Sequence, residues 1–268
     1  MFRKIGMIGR DKILKKEILP RCKGKNAPFL LVGNRGIGKS AILQWAYQQG
    51  KGPKAFTSAN ANMKDILQDI VNGWGLVIKD GEKTIPIYRA KNSELEHAIM
   101  TQEDGSIYID DIQDATKTFL RKFKIWRERF KTYCAGVPPF KREELKRELW
   151  GYYEIKVSPI KKIYREELAK KACIEYGSKK APSELAHCSR GYPARMIAMA
   201  QGTAEVKAAR VQGEEIDLSP LLLLLVVGIA ALRFIGRGMG DTALYLIGGI
   251  GVAIMIFLRF FLSRGMRT

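Results

Sequence analysis

The chain has 268 residues, 46% of them hydrophobic and 27% charged, a balance that excludes a disordered or fibrous protein. Its length suits one α/β domain with a small companion domain. A formal charge of +19 points to an anionic partner, nucleic acid or an anionic lipid surface, or to the cytoplasmic face of a membrane protein.

Residues 1–27 are basic and contain Met7-Ile-Gly-Arg-Asp-Lys-Ile-Leu14, an apolar-Gly-Arg-acid stretch leading into a short helix. Pro28-Phe-Leu-Leu-Val32 predicts a buried strand, and Ala41-Ile-Leu-Gln-Trp-Ala46 predicts a helix running to about Gln49. Between them stands Gly33-Asn34-Arg35-Gly36-Ile37-Gly38-Lys39-Ser40, the spacing G-x-x-x-x-G-K-S. Strand, glycine-rich loop and helix in that order form a phosphate cradle. The glycines let the backbone curl so that N–H groups, on to Ala41, point at phosphate oxygens, and the helix N-terminus adds positive charge. Lys39 can neutralise the β- and γ-phosphates, and the Ser40 hydroxyl can ligate Mg²⁺.

Further on, Lys54–Ser58 reads as a strand and Met63–Val71 as a helix. Leu76–Tyr88 reads as two strands around an Asp80-Gly81 turn, with Pro86 holding the second at an edge. Ser93 is expected to cap a helix that runs to about Thr101, with Glu96 completing a capping box. Ser106-Ile-Tyr-Ile-Asp-Asp111 then ends a β-favouring run in two carboxylates. In phosphate-loop enzymes a strand beside the loop strand delivers an acid to the Mg²⁺ shell, which suits Asp110. Asp111 would then face the γ-phosphate and orient or deprotonate the attacking water.

Thr116–Lys131 predicts a strongly basic amphipathic helix whose outer face suits phosphates, anionic lipid heads or solvent alone. Tyr133–Val137 reads as a core strand stopped by Pro138-Pro139, Glu143–Leu149 as a short helix, and Tyr152–Val157 as a strand ending at Ser158-Pro159. From Ile160 to Ala209 the pattern is helical throughout: Lys161–Tyr176 closed by Gly177, Ser183–Cys188, and a helix opening at Pro193. The four cysteines show no C-x-x-C spacing and only two histidines are present, which argues against a metal cluster and suits reduced thiols. After an acidic linker come Leu221–Leu232 and Ala243–Leu258, the latter extended by Phe260–Leu262. With their flanks, these runs approach the ~20 apolar residues a bilayer span needs, so a transmembrane hairpin is expected. Gly248-Gly249-x-Gly251 offers it a close-packing face.

The order of these elements resembles the AAA+ ATPases. It runs Ile8-Gly9-Arg10, Gly33–Ser40, Ile107–Asp111 with Ile112-Gln113, Cys134–Pro139, Tyr153–Pro159 and Gly191-Tyr-Pro-Ala-Arg195. The likeness is closest to the branch of origin-recognition initiators, transposition-regulator ATPases and secretion-accessory ATPases, and it covers about residues 5–205. It implies an α/β fold, a P-loop NTPase parallel sheet with a small C-terminal helical lid, here followed by two transmembrane helices. The implied divisions are 1–158 for the nucleotide-binding domain, 159–210 for the lid, 211–217 for a linker, 218–262 for the hairpin and 263–268 for a basic tail.

By that resemblance ATP and Mg²⁺ are the cofactors, and Ile8, Gly9 and Arg10 lie along the adenine. The absence of an N-K-x-D guanine motif agrees. Arg195 would touch the γ-phosphate from the lid. Arg147, with Arg142 behind it, would be offered to a neighbouring subunit of a homo-oligomer. Three features depart from the family pattern: Asp111 stands where Glu is usual, Gly136-Val137 where a polar residue is common, and a membrane hairpin where a DNA-binding domain often follows. The expectation is a membrane-anchored ATPase with its catalytic domain cytoplasmic, acting on a partner at the membrane face. Two alternatives stand beside it: a membrane-tethered ATP-dependent DNA-binding, loading or packaging factor, and a slowly hydrolysing nucleotide switch.

Overall fold

Phe29–Val32 (β1) is apolar at every position, so it is stable only where both faces of a sheet are covered. That is where it lies. In the computed structural model, which describes residues 7–23, 28–80, 83–204, 231, 235, 238–240 and 246, β1 is an inner strand of a five-stranded sheet. The other strands are Lys54–Ser58 (β2), Ser106–Asp110 (β5), Lys131–Gly136 (β6) and Tyr153–Lys156 (β7). Their order is β2-β5-β6-β1-β7, every pair is parallel, and Leu30 stands opposite Cys134 on one side and Glu154 on the other.

Alternation along β1 divides the core in two. Leu30 and Val32 face a cluster made with Met63–Trp74 (α3), Asn92–Thr101 (α4), Lys117–Arg129 (α5) and Glu143–Leu149 (α6). Phe29 and Leu31 face the opposite cluster, made with Lys39–Gln49 (α2) and the N-terminal helix α1. The first stretch of α1, Ile13–Ile18, is π-wound, and its second, Leu19–Lys23, is α-helical. Ile78–Asp80 (β3) and Lys83–Ile85 (β4) form the expected antiparallel hairpin, with Ile78 opposite Ile85.

Helix ends follow their side chains. Asn62 accepts the Asp65 N–H at the start of α3, and Thr116 accepts that of Phe119 at the start of α5. Several expected boundaries move by a residue or more, two of them for a visible reason. α4 opens at Asn92, not at Ser93, because Glu94 accepts the Lys91 N–H at 2.8 Å, while Glu96 is drawn away to Lys122 at 2.6 Å. α5 stops at Arg129 instead of reaching Lys131. Phe130 turns extended to pack edge-on against Trp74, and Lys131 already pairs with Ser106 in the sheet.

Lys162–Tyr176 (α7), Pro182–Cys188 (α8) and Pro193–Ala200 (α9) carry a third apolar cluster of their own, including Leu168, Ala172, Leu185, Met196 and Met199. The chain divides into Met1–Ala208 and Ala209–Thr268. The expected linker 211–217 and tail 263–268 lie outside the described residues, as does nearly all of the expected hairpin 218–262. Among the described residues, no helix is long and apolar enough to cross a membrane.

Candidate nucleotide-binding site

β1 ends where the loop Gly33–Gly38 begins. Gly36 and Gly38 hold φ of +78° and +99°, left-handed values that a side chain disfavours. Gly38 leaves the first turn of α2 without a side-chain cap, so its N–H groups are offered to a ligand. Lys39 is only 7% exposed. Its Nζ folds back to donate to the carbonyls of Gly33 at 2.8 Å and Asn34 at 3.1 Å. Burial lowers its pKa, opposed by the charges of Asp110 and Asp111.

Asp110 closes β5 and accepts a hydrogen bond from the Ser40 hydroxyl, the first hydroxyl of α2. It also accepts the Asp111 N–H at 2.9 Å. Burial raises its pKa above the usual carboxylate range, moderated by the Ser40 bond. One expectation is corrected: β5 is not beside β1, because β6 lies between them. Asp110 reaches Ser40 all the same, since all these strands run parallel and end at one edge of the sheet. Asp111 sits at φ 51°, ψ 40°, a left-handed conformation uncommon outside glycine. Its carboxylate accepts from Gln113 Nε2 at 3.2 Å.

Three connections tie the loop to the rest of the site. Arg10, 6% exposed, donates through Nη2 to the Ile37 carbonyl at 2.9 Å and through Nη1 to that of Ser158 at 2.6 Å. Burial pulls its pKa down to about 10. Val157 N donates to the Val32 carbonyl at 2.7 Å, holding the exit of β7 against the entry to the loop. From α9, Ala194 N donates to the Gly36 carbonyl at 3.2 Å, and just before the helix Tyr192 Oη accepts from Asn34 Nδ2 at 3.1 Å. An apolar cleft lined by Ile8, Ile37, Ile42, Leu168, Pro193 and Ile197 opens beside Arg10. Its free volume is about 30 Å³, room for a water or two and too little for a purine.

No protein-family model and no curated protein sequence matches this chain. Solved structures match it in fold. Cdc6p from Pyrobaculum aerophilum aligns over 95% of this chain and 82% of its own, at 12% identity and a TM-score of 0.52. Domain III of the replication initiation protein DnaA from Thermotoga maritima aligns over 82% and 92%, at 17% identity and a TM-score of 0.51. A RuvB variant from the same organism aligns over 90% and 85%, at 14% identity and a TM-score of 0.51. The fold is that of the AAA+ P-loop ATPases. At these identities the likeness concerns fold alone. Against two other RuvB structures the chain spans 62% and 61% of their length, with TM-scores of 0.48.

Within this AAA+ fold, the sequence-predicted residues fall in five places. Gly33, Asn34, Arg35, Gly36, Ile37, Gly38, Lys39, Ser40 and Ala41 form one continuous loop and helix start, with Arg35 and Ser40 exposed. Asp110 is brought to that loop directly, and Asp111 follows it. Ile8 and Gly9 flank Arg10, where Ile8 packs on the α7–α9 cluster and Gly9 lies under the Tyr164 ring. Arg195 stands half-buried in the first turn of α9, next to the residue that binds Gly36. Arg147 is exposed on α6.

Sequence reasoning did not find the part played by Gln113, Tyr192 or the Ser158 carbonyl. Each depends on a partner in a distant stretch of the chain.

Proposed function

We propose that this chain is a membrane-held ATPase in which ATP binds at Gly33–Ala41 and its hydrolysis moves α7–α9 against the sheet. The observation that carries this reading is the pairing of Ser40 with Asp110 beneath the uncapped start of α2. Two hard oxygen ligands and an anion cradle are thereby placed together. That donor set suits Mg²⁺, and the free first-turn N–H groups suit a triphosphate. Bound there by Ser40 and Asp110, Mg²⁺ would neutralise phosphate charge.

The chain's own residues do the rest. Lys39 exchanges the Gly33 and Asn34 carbonyls for phosphate oxygens, which changes the loop that Tyr192 and Ala194 touch. Asp111 orients or deprotonates the attacking water. Arg195 reaches the γ-phosphate, its planar fork suiting two-point contact. The cleft must widen to admit adenine between Ile8, Ile37 and Ile197, so α7–α9 move on binding. Arg147 on α6 suits a homo-oligomer, where it would complete a neighbour's site. The apolar runs within 218–262 would hold the protein in a membrane with this unit on the cytoplasmic face.

Phosphate release and nucleotide affinity of the full-length protein in detergent test the reading. Lys39→Ala is expected to lose binding, whereas Asp111→Asn keeps binding and loses turnover. Turnover unchanged in both variants would overturn it. Asp111→Glu bears on the slow-switch alternative: a faster enzyme would show that the shorter acid limits the natural rate.

A second reading, an ATP-dependent factor that contacts nucleic acid, is favoured by α5. Lys122 and Arg127 are spent on Glu96 and Glu148, but Lys117, Arg121, Lys124 and Arg129 face solvent. Phe119, Phe123 and Trp126 are buried beneath them, so this helix has no apolar face left to insert into lipid. DNA affinity that falls steeply with salt, and falls further in Lys117→Glu/Arg121→Glu, would support it. Unchanged affinity in that variant would refute it.

A further inference from the structure

We propose that Gln113 is a positioning residue for hydrolysis, aiming the Asp111 carboxylate and standing in for the polar side chain that β6 lacks at its end. The proposal rests on the ATPase reading above. Gln113 lies in a 3₁₀ turn, Ile112–Asp114, immediately after the acid strand. Its amide is used on both sides. Nε2 donates to Asp111 Oδ1 at 3.2 Å and to Asp114 Oδ2 at 2.9 Å, while Oε1 accepts the Val137 N–H at 3.0 Å. Two carboxylates on one side and an N–H on the other allow only one orientation of the amide.

The surroundings fix that bridge. Asp111 is held left-handed, with its own N–H spent on Asp110 Oδ1 at 2.9 Å. The Asp114 N–H closes the turn on the Asp111 carbonyl at 2.9 Å. Ile112 is fully buried against Gly136. A Cβ at Gly136 would lie 2.7 Å from Ile112 Cγ2 and 2.8 Å from Phe140 Cε1, so that position cannot carry a side chain as the structure stands. β6 therefore has no polar group of its own at residue 136. The only amide reaching from the acid strand to the end of β6, among the described hydrogen bonds, is that of Gln113. An aspartate is shorter than a glutamate and depends more on what holds it. One bond from a neutral amide that is itself anchored at Asp114 and Val137 sets its direction without changing its charge.

The test compares the full-length wild type with Gln113→Ala, Gln113→Glu and Gln113→Leu, reading kcat, KM, ATP affinity and melting temperature. Gln113→Glu discriminates between roles: its carboxylate still accepts the Val137 N–H but cannot donate to Asp111. We expect kcat to fall about 10–100-fold in all three variants, with KM and ATP affinity within about threefold of wild type. A Gln113→Glu enzyme with wild-type kcat would reduce Gln113 to a structural tie and overturn the proposal. So would a higher kcat in Gln113→Ala, which would mean that Gln113 restrains Asp111. If the added charge unfolds the glutamate variant, the neutral Gln113→Leu decides. Wild-type protein that fails to bind ATP sinks the ATPase reading itself, whereas Lys39-dependent turnover that ignores Gln113 sinks this proposal alone.

Discussion

Replacing Arg10 with methionine keeps the length of the aliphatic stem and removes the guanidinium. Two bonds go with it. The one to Ile37 is buried, and a hydrogen bond to a charged group there contributes about 2–3 kcal/mol. The one to Ser158 is partly buried, so water replaces some of it and its share is nearer 1 kcal/mol. The total is about 3 kcal/mol, equivalent to a fall in Tm of about 6–12 °C for a unit of this size. Thermal and urea unfolding of the full-length protein in detergent would measure it. Arg10→Lys should fall between, since an ammonium lacks the planar fork through which Arg10 reaches both carbonyls. Arg10→Met should also weaken nucleotide binding at temperatures where it remains folded, because Ile37 belongs to the loop and Ser158 to the connection from β7. A methionine variant melting within about 2 °C of wild type would refute the reasoning.

Gly136→Asn, which installs the polar side chain the family pattern leads one to expect, should lower stability by about 1–3 kcal/mol through overpacking against Ile112 and Phe140; an unchanged urea midpoint would contradict it. Asp110→Asn should raise the Tm of the nucleotide-free protein while abolishing turnover, because burial raises the Asp110 pKa and so makes its charge a cost to the fold near neutral pH. A lower Tm would show that the charge is compensated. Alkali should unfold the protein. Burial pushes Cys22 from 9.0 up to about 11 and Tyr133 from 10.0 up to about 12, and it raises Tyr108, Tyr152 and Cys134 as well. A folded pKa raised in this way contributes stability that is complete below the ordinary value and lost as pH climbs through the shifted one, so the urea midpoint should hold to about pH 9 and fall between 9 and 12. A midpoint constant to pH 11 would refute this.

The parts of the site that were legible are those whose chemistry is contiguous. The loop Gly33–Ser40 and the acids Asp110-Asp111 carry their meaning in neighbouring residues, and the unbroken apolar run Phe29–Val32 foretells a buried strand. The order of the strands was not legible. That β6 lies between β1 and β5 depends on how helical crossovers stack in space, which no local pattern encodes. Two residue pairs could each have capped α4, and the choice was made by Lys122, 26 residues away, drawing Glu96 aside. Arg10 was readable as part of a lead-in but not as a clamp, since its second carbonyl is 148 residues on. Gln113 stood in plain view beside the acids. Its use appears only when Val137 arrives at the end of β6.

The apolar cluster of α7–α9 is self-contained, and this sets how those helices can come away from the sheet. Opening the cleft breaks the Ala194–Gly36 and Asn34–Tyr192 bonds and uncovers Ile8, while Ala172, Leu185 and Met196 stay covered by one another. The helices can therefore swing as an intact body, at a cost well below that of global unfolding. Hydrogen exchange would record the difference. The amide of Ala194 should exchange through a shallow opening, while those in the middle of α7 should wait for a much rarer event, so that the joint and the body it carries keep separate clocks.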